Sequence, residues 1–419
     1  MNSKKLLVCI FEYLYIVLVI LESNTVYSCS EQFASLPYFI VAVCFILFLA
    51  KIHMYRVKIK RLNKMLPATI TYLLLMSLFA VVNVSNSVLV GFICRYMIFI
   101  PLSVGIFYLP DGNEANRIFI IRFVKVICFL AITSLFFWFF GSTLKVIPSN
   151  MSYQSYWARD INFKGYYGLL FEYQFNDITG IYRNDGIFAE APMYSIWLII
   201  ALCFEVFNLG TNITRKKEKR KHILKVILLV TTIISTLTTS GIISVVLLFL
   251  FKMFSSDRGS SKSKPLVTMM SLAIVFSITS PLLSLVTDKL NSYSGITRLG
   301  SVTSSFYSWL NHPIFGNGYN SMDAITRMSY SLYGRDTGNS NTIFMILAQG
   351  GLVLATVYIV PILYTLIKGL KEKNNVLIIN AYILLFELCV TWIPYKFSLL
   401  MLLSLFSINI IDKRISIKE

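Results

Sequence analysis

Apolar runs long enough to cross a bilayer recur along almost the whole of this 419-residue chain. Around 20 consecutive apolar residues span a hydrocarbon core as a helix, because every backbone polar group must be satisfied within the segment. The runs fall at roughly 6–21, 36–50, 66–82, 88–109, 118–140, 188–208, 223–238, 240–254, 266–286, 341–367, 376–392 and 395–411. They predict an all-α, polytopic integral membrane protein of about twelve helices, or ten if the short pair at 223–254 only partly crosses. No polar stretch is long enough to build a separate core, so the whole of 1–419 reads as one membrane domain. The N-terminal "MNSKKLLVCIFEYLYIVLVIL" has the look of a signal peptide. Its apolar run is long and a second span follows at once, so it reads as a retained first helix.

Charge orients this map. Only 14% of residues are charged, but the net charge is +18. The basic residues cluster in short segments: 51–64, 214–222, 252–264, 368–373 and 412–419. An even number of spans places every such cluster, and both termini, on the cytoplasmic side, as the positive-inside rule requires. The excess charge is therefore a topology signal and not a nucleic-acid surface. Six of the seven cysteines lie in apolar runs and only Cys29 in an outer loop, which argues against a disulfide framework. The three histidines show no metal-ligand spacing, so no cofactor and no metal are expected.

Two long segments remain on the other side, 141–187 and 287–340, where long loops usually carry function. The first holds Tyr153, Tyr156, Trp157, Phe163, Tyr166, Tyr167, Phe171, Tyr173, Phe175 and Tyr182. Such rings fit either an interfacial aromatic belt or a platform for sugar rings, with Tyr166, Tyr167 and Tyr182 the candidate glycan contacts. Arg183, Asp185 and Glu190 crowd the outer end of the sixth run. The second segment adds Arg298, Arg327, Arg335, Asp323, Asp336 and His312. Arginine forks suit phosphate or diphosphate, and a neighbouring carboxylate suits proton abstraction from a hydroxyl. Within the spans Arg95, Glu205 and Glu387 stand out. Glu387 is the residue best suited to a transport pathway.

Four motifs occur in order: "RNDGIFAEAP" (183–192), "TTSG" (238–241), "WLNHPIFGNGYN" (309–320) and "NSNTIFMILAQGGLVLATVY" (339–358). In these the chain resembles the Wzy-type O-antigen polymerases and, more distantly, the O-antigen ligases, over roughly residues 120–370. The Arg-x-x-Gly-x-Phe-x-Glu pattern falls on Arg183, Gly186, Phe188 and Glu190, with Ala191 before Pro192 where many relatives have Pro directly. A Pro-(apolar)₂-Gly-x-Gly turn falls on Pro313, Gly316 and Gly318. Arg327 and Gly338 match an Arg-x₁₀-Gly spacing. Ser340–Asn341 stands where the ligases carry His-Asn, which favours polymerase over ligase, and no arginine sits in "TTSG".

The resemblance implies a metal-independent glycosyltransferase that joins undecaprenyl-diphosphate-linked oligosaccharides at the periplasmic face of the bacterial inner membrane, for surface polysaccharide. It implies diphosphate binding by Arg183 with Arg298, Arg327 and Arg335, catalysis by Glu190 or Asp336, and glycan contact by His312 beside the tyrosines. A chain-length-determining co-polymerase and membrane lipids are the other implied partners. A flippase for lipid-linked oligosaccharide and an O-antigen ligase are the competing readings.

Overall fold

The computed structural model describes residues 3–110, 114–154, 162–176, 180–209, 215–255 and 293–411. The predicted span at 266–286, the tail at 412–419 and the aromatics Tyr156 and Trp157 lie outside these residues. Helices α1 (Ser3–Leu21), α2 (Leu36–Tyr55), α3 (Ile59–Asn83), α4 (Asn86–Tyr108) and α5 (Glu114–Thr143) follow one another through short connections. Next come strands β1 (Met151–Gln154), β2 (Asn162–Tyr166), β3 (Leu170–Glu172), β4 (Phe175–Asn176) and β5 (Ile181–Tyr182). The remainder is helical: α6 (Ala191–Phe207), α7 (Lys216–Ser235), α8 (Thr239–Ser255), α9 (Tyr293–Asn311), α10 (Asp323–Tyr333), α11 (Thr342–Glu372), α12 (Asn375–Val390) and α13 (Phe397–Ile411).

Among the described residues five helical segments are long and apolar enough to cross a membrane: Glu31–Tyr55, which contains α2, and α3, α4, α5 and α11. Four shorter apolar helices, in α6, α8, α12 and α13, accompany them. The protein is therefore a helical membrane protein. A count of about twelve full crossings is not reached by this criterion. The run predicted from 395 starts as helix only at Phe397, and Thr391, Ile393 and Tyr395 are buried as irregular chain between α12 and α13. Such backbone is tolerated at membrane depth when protein covers it.

Hydrogen bonds sort the helix ends onto two opposite faces. On one, Thr25 bridges Phe188, Asn24 donates to the Trp392 carbonyl, and the Thr342 hydroxyl donates to the Thr391 carbonyl at 2.6 Å. On the other, Arg61 donates to the carbonyl of Tyr108 at 2.8 Å and Lys368 reaches Asn409. There too Glu205, near the end of α6, pairs with His222 and Lys225 of α7. We call these the loop face and the basic face. α6 runs through the middle and is buried on nearly every side from Ala191 to Cys203.

The segment after α5 departs from a purely α-helical fold. β1, β2 and β3 form an antiparallel sheet, with Met151 opposite Gly165 and Gly165 opposite Phe171. β4 and β5 make a two-residue ladder. The β2–β3 turn centres on Tyr167 and Gly168, with φ of +51° and +70°. Two successive positive φ values match the right-handed twist of a tight hairpin.

Candidate functional site

The "RNDGIFAE" stretch crosses the loop face, and each of its residues is set by a different neighbour. Arg183 lies against the C-terminal end of α7, where its Nε donates to the Thr236 carbonyl at 3.0 Å and Nη2 to the Leu237 carbonyl at 3.1 Å. The last carbonyls of a helix lack intrahelical partners and carry partial negative charge, so a cation satisfies both needs. Asn184 is fully buried and bonds the Ser134 and Ser235 hydroxyls, tying α5 to α7. Gly186 has φ +56°, and a Cβ there would press on the Tyr194 ring. Phe188 stacks on Tyr194 with centroids 5.2 Å apart.

Asp185 points inward. Its carboxylate accepts the backbone N–H of Gln174 at 3.0 Å, while its other oxygen has no hydrogen-bond partner among the described residues. Burial pushes its pKa well above the usual carboxylate range, against the smaller pull of that N–H and of Arg183. Gln174 organises the surroundings. Its carbonyl accepts from the Arg183 N–H at 2.8 Å, and its side-chain oxygen receives the Ala191 N–H at the start of α6.

Glu190 is the N-cap residue of α6, but its side chain does not cap the helix. Among the described residues its carboxylate makes no hydrogen bond. Burial raises its pKa, and Arg183 and Arg298 oppose that shift. Burial lowers the Arg183 pKa, with Asp185 acting in the opposite sense and Arg298 reinforcing the shift. Arg298, exposed on α9, is thus within electrostatic reach of both. Arg183 and Glu190, with Arg298 more than a hundred residues further along the chain, form one electrostatic cluster at the positive end of the central helix.

The other expected site residues are placed differently. Arg327 is exposed on α10, and His312 is exposed at the end of α9. Asp336 accepts the Gly338 N–H at 2.8 Å in a local turn. Among the described residues none of these three is hydrogen-bonded or ion-paired to the Arg183 cluster. Arg335 is half-buried, and its carbonyl accepts from Ser329. Tyr166 is turned inward: its hydroxyl donates to Glu172 at 2.8 Å and its ring stacks on Phe137. Tyr167 is exposed and also stacks on Phe137, while Tyr182 is half-buried edge-on to Phe175.

A second construction supports the loop face from below. α11 breaks at Gly351, with φ +60° and ψ −164°. The "HPIFGNGYN" loop fills the break: Leu352 and Val353 N–H groups donate to the carbonyls of Pro313 and Ile314 at 2.9 and 3.1 Å. In return Asn317 and Gly318 donate to the carbonyls of Ala348 and Gln349. Asn83, at the end of α3, donates to the carbonyls of Phe315 and Gln349. Backbone groups on both sides of the break are thereby paired. A Cβ on Gly351 would fall on the Ile314 carbonyl. The "TTSG" turn is similarly tight, since a Cβ on Gly241 would fall on the hydroxyls of Ser195 and Thr238.

The ionisable groups singled out inside the spans are partnered. Arg95 bonds the Tyr395 carbonyl at 2.8 Å and pairs with Glu22 at 3.4 Å. Glu387 accepts from Ser244 at 2.6 Å and from Thr391. Sequence reasoning missed Gln174, Asn83 and Gln349, whose side chains make these junctions. Polar amides at the ends or in the middle of apolar runs were the available signal. No protein-family model matches the chain. No curated protein matches it either.

Proposed function

We propose that the protein is a polymerase of lipid-linked oligosaccharides, acting at the periplasmic face of a bacterial inner membrane with both termini cytoplasmic. The observation that carries this reading is Glu190: a half-buried carboxylate at the N-terminus of a buried helix, without a hydrogen bond among the described residues and within electrostatic reach of Arg183 and Arg298. In the reaction a hydroxyl of the incoming lipid-linked unit attacks the anomeric carbon of the growing chain. The bond from that carbon to the diphosphate oxygen breaks, and undecaprenyl diphosphate leaves with the electron pair. Glu190 takes the hydroxyl proton. Arg183 and Arg298, with the helix N-terminus, stabilise the charge developing on the leaving diphosphate. A base between two cations keeps its proton affinity within a workable range while its burial raises it.

Arg327 and Arg335 are further candidates for the diphosphate, and Tyr167 and His312, both exposed, for the glycan. Asp336 is engaged in its own turn, so Glu190 is the stronger base. The pairing of Arg95 and Glu387 with protein groups favours this reading over a flippase, which needs a polar path through the bilayer. The test is a silver-stained gel of lipopolysaccharide from the parent, a deletion strain, and the deletion complemented with wild type, Glu190→Gln or Arg183→Ala. The reading expects the deletion to collapse the ladder to core plus one repeat unit. It expects only wild type to restore the ladder at equal membrane abundance. Bare core without the single-repeat band would instead indicate a ligase or flippase, and an unchanged ladder would overturn the assignment.

A further inference from the structure

On the side away from the candidate site, four helices separate around a lateral groove of about 240 Å³. Its walls come from α3 (Ala68, Tyr72), α4 (Ile100, Val104), α11 (Val357) and α13 (Leu403), among others. The gap has a covalent cause. Pro101 and Pro361 line it and Pro67 adjoins Ala68, and each proline removes a backbone donor and crowds the preceding turn. α4 also widens into a π-helical segment at Ile93–Phe99, directly before Pro101.

The groove surface is apolar even where the sequence is not. Thr69, Thr356, Ser404 and Ser407 donate their hydroxyls to carbonyls of their own helices. Tyr72 donates to the Tyr96 carbonyl at 2.9 Å. A chain without hydrogen-bonding groups is therefore the occupant that loses nothing on entry.

The groove runs toward the basic face, where the start of α3 meets the end of α4 through Arg61, and α11 meets α13 through Lys368 and Asn409. One helical turn beyond Ala68 stands Lys64, exposed, with Lys60 a turn further, also exposed. Two turns beyond Pro361 stands Lys368, followed by exposed Lys371. At a rise of about 1.5 Å per residue these lysines stand roughly 6–15 Å further along α3 and α11 than Ala68 and Pro361, toward the basic face.

We infer that this groove is a binding site for an anionic phospholipid of the basic-face leaflet. One acyl chain lies among Tyr72, Val104, Val357 and Leu403, and the phosphate lies among Lys60, Lys64, Lys368 and Lys371. Charge complementarity selects the headgroup, and the proline-bent helices hold the chain. The site is independent of the polymerase reading, since it shares no residue with the Arg183 cluster.

Native mass spectrometry of the purified protein tests it, after incubation with equimolar phosphatidylglycerol and phosphatidylcholine in detergent. Wild type retains phosphatidylglycerol in preference. Lys64→Gln combined with Lys368→Gln lowers that preference on the order of tenfold, at roughly a factor of several per basic residue. Ser404→Trp fills the groove and removes the retained lipid. Should Ser404→Trp fail to fold, the lysine variant decides alone, because Lys64 is exposed and Lys368 only partly covered. Equal retention of both lipids by wild type, or a preference untouched by the lysine substitutions, overturns the proposal. So does stronger retention of undecaprenyl phosphate than of phosphatidylglycerol in the same mixture.

Discussion

Replacing Gly316 by alanine tests whether the "HPIFGNGYN" loop locks the broken helix α11. Gly316 has φ +79°, and a Cβ there would stand 2.5 Å from the Gln349 carbonyl group and the Gly350 nitrogen. A left-handed backbone costs an L-residue about 1–2 kcal/mol. The steric clash adds to this by lifting the loop, which breaks the bonds from Asn317 to Ala348 (2.9 Å) and from Gly318 to Gln349 (3.2 Å). At about 1 kcal/mol net for each bond, the expected loss is roughly 3–4 kcal/mol. Gly334→Ala is the control, because Gly334 has φ +67° but nothing within 4 Å of its Cβ position. It should lose only the backbone part, about 1–2 kcal/mol. Thermal unfolding in detergent, followed by tryptophan fluorescence, reads both. Trp309 is a local reporter, since its indole donates to the Pro313 carbonyl at 3.0 Å. Equal destabilisation by the two substitutions would refute the contribution of the loop–helix contact.

Three further outcomes follow from the site. Arg183→Lys keeps the charge but cannot reach both α7 carbonyls as a planar fork does. It should cost about 1–2 kcal/mol of stability and shorten the polysaccharide ladder at equal protein abundance; an unaltered ladder would count against a diphosphate role. Asp185→Asn should alter the pH dependence of stability. In the wild type the folded chain holds the Asp185 proton after the unfolded chain, with a pKa of about 3.9, has released it. Stability from that proton is present below pH 4 and lost as pH rises, so the variant should gain on the wild type from pH 4 to pH 8; a constant difference in unfolding temperature would refute this. Polymerisation in reconstituted vesicles should fall as pH drops through a value above the ordinary glutamate pKa, because Glu190 must be ionised to accept a proton. A rate flat across that range would remove Glu190 as the base.

The helical membrane class was legible in the sequence because it depends on local composition. Each of the eleven apolar runs that fall on described residues coincides with a helix, since a bilayer leaves such a run few other ways to pair its backbone. The motif residues Gly316 and Gly351 were visible as letters, but their partnership was not. Nothing in "GNGYN" or "AQGG" states that one segment supplies the hydrogen bonds the other lacks. Arg183 and Glu190 were legible as charges at a helix mouth. Only the fold separates Glu190, left without a hydrogen bond among the described residues and within electrostatic reach of two arginines, from Asp185, five residues earlier and sealed inside. Likewise only packing turned the Tyr166 hydroxyl onto Glu172 and left the Tyr167 side chain exposed. Hydrophobic length acts within one segment and so can be read from it. Burial of a charge, partnership across a helix break and the meeting of Arg298 with Glu190 depend on residues in different segments of the chain, and those are decided when the helices pack.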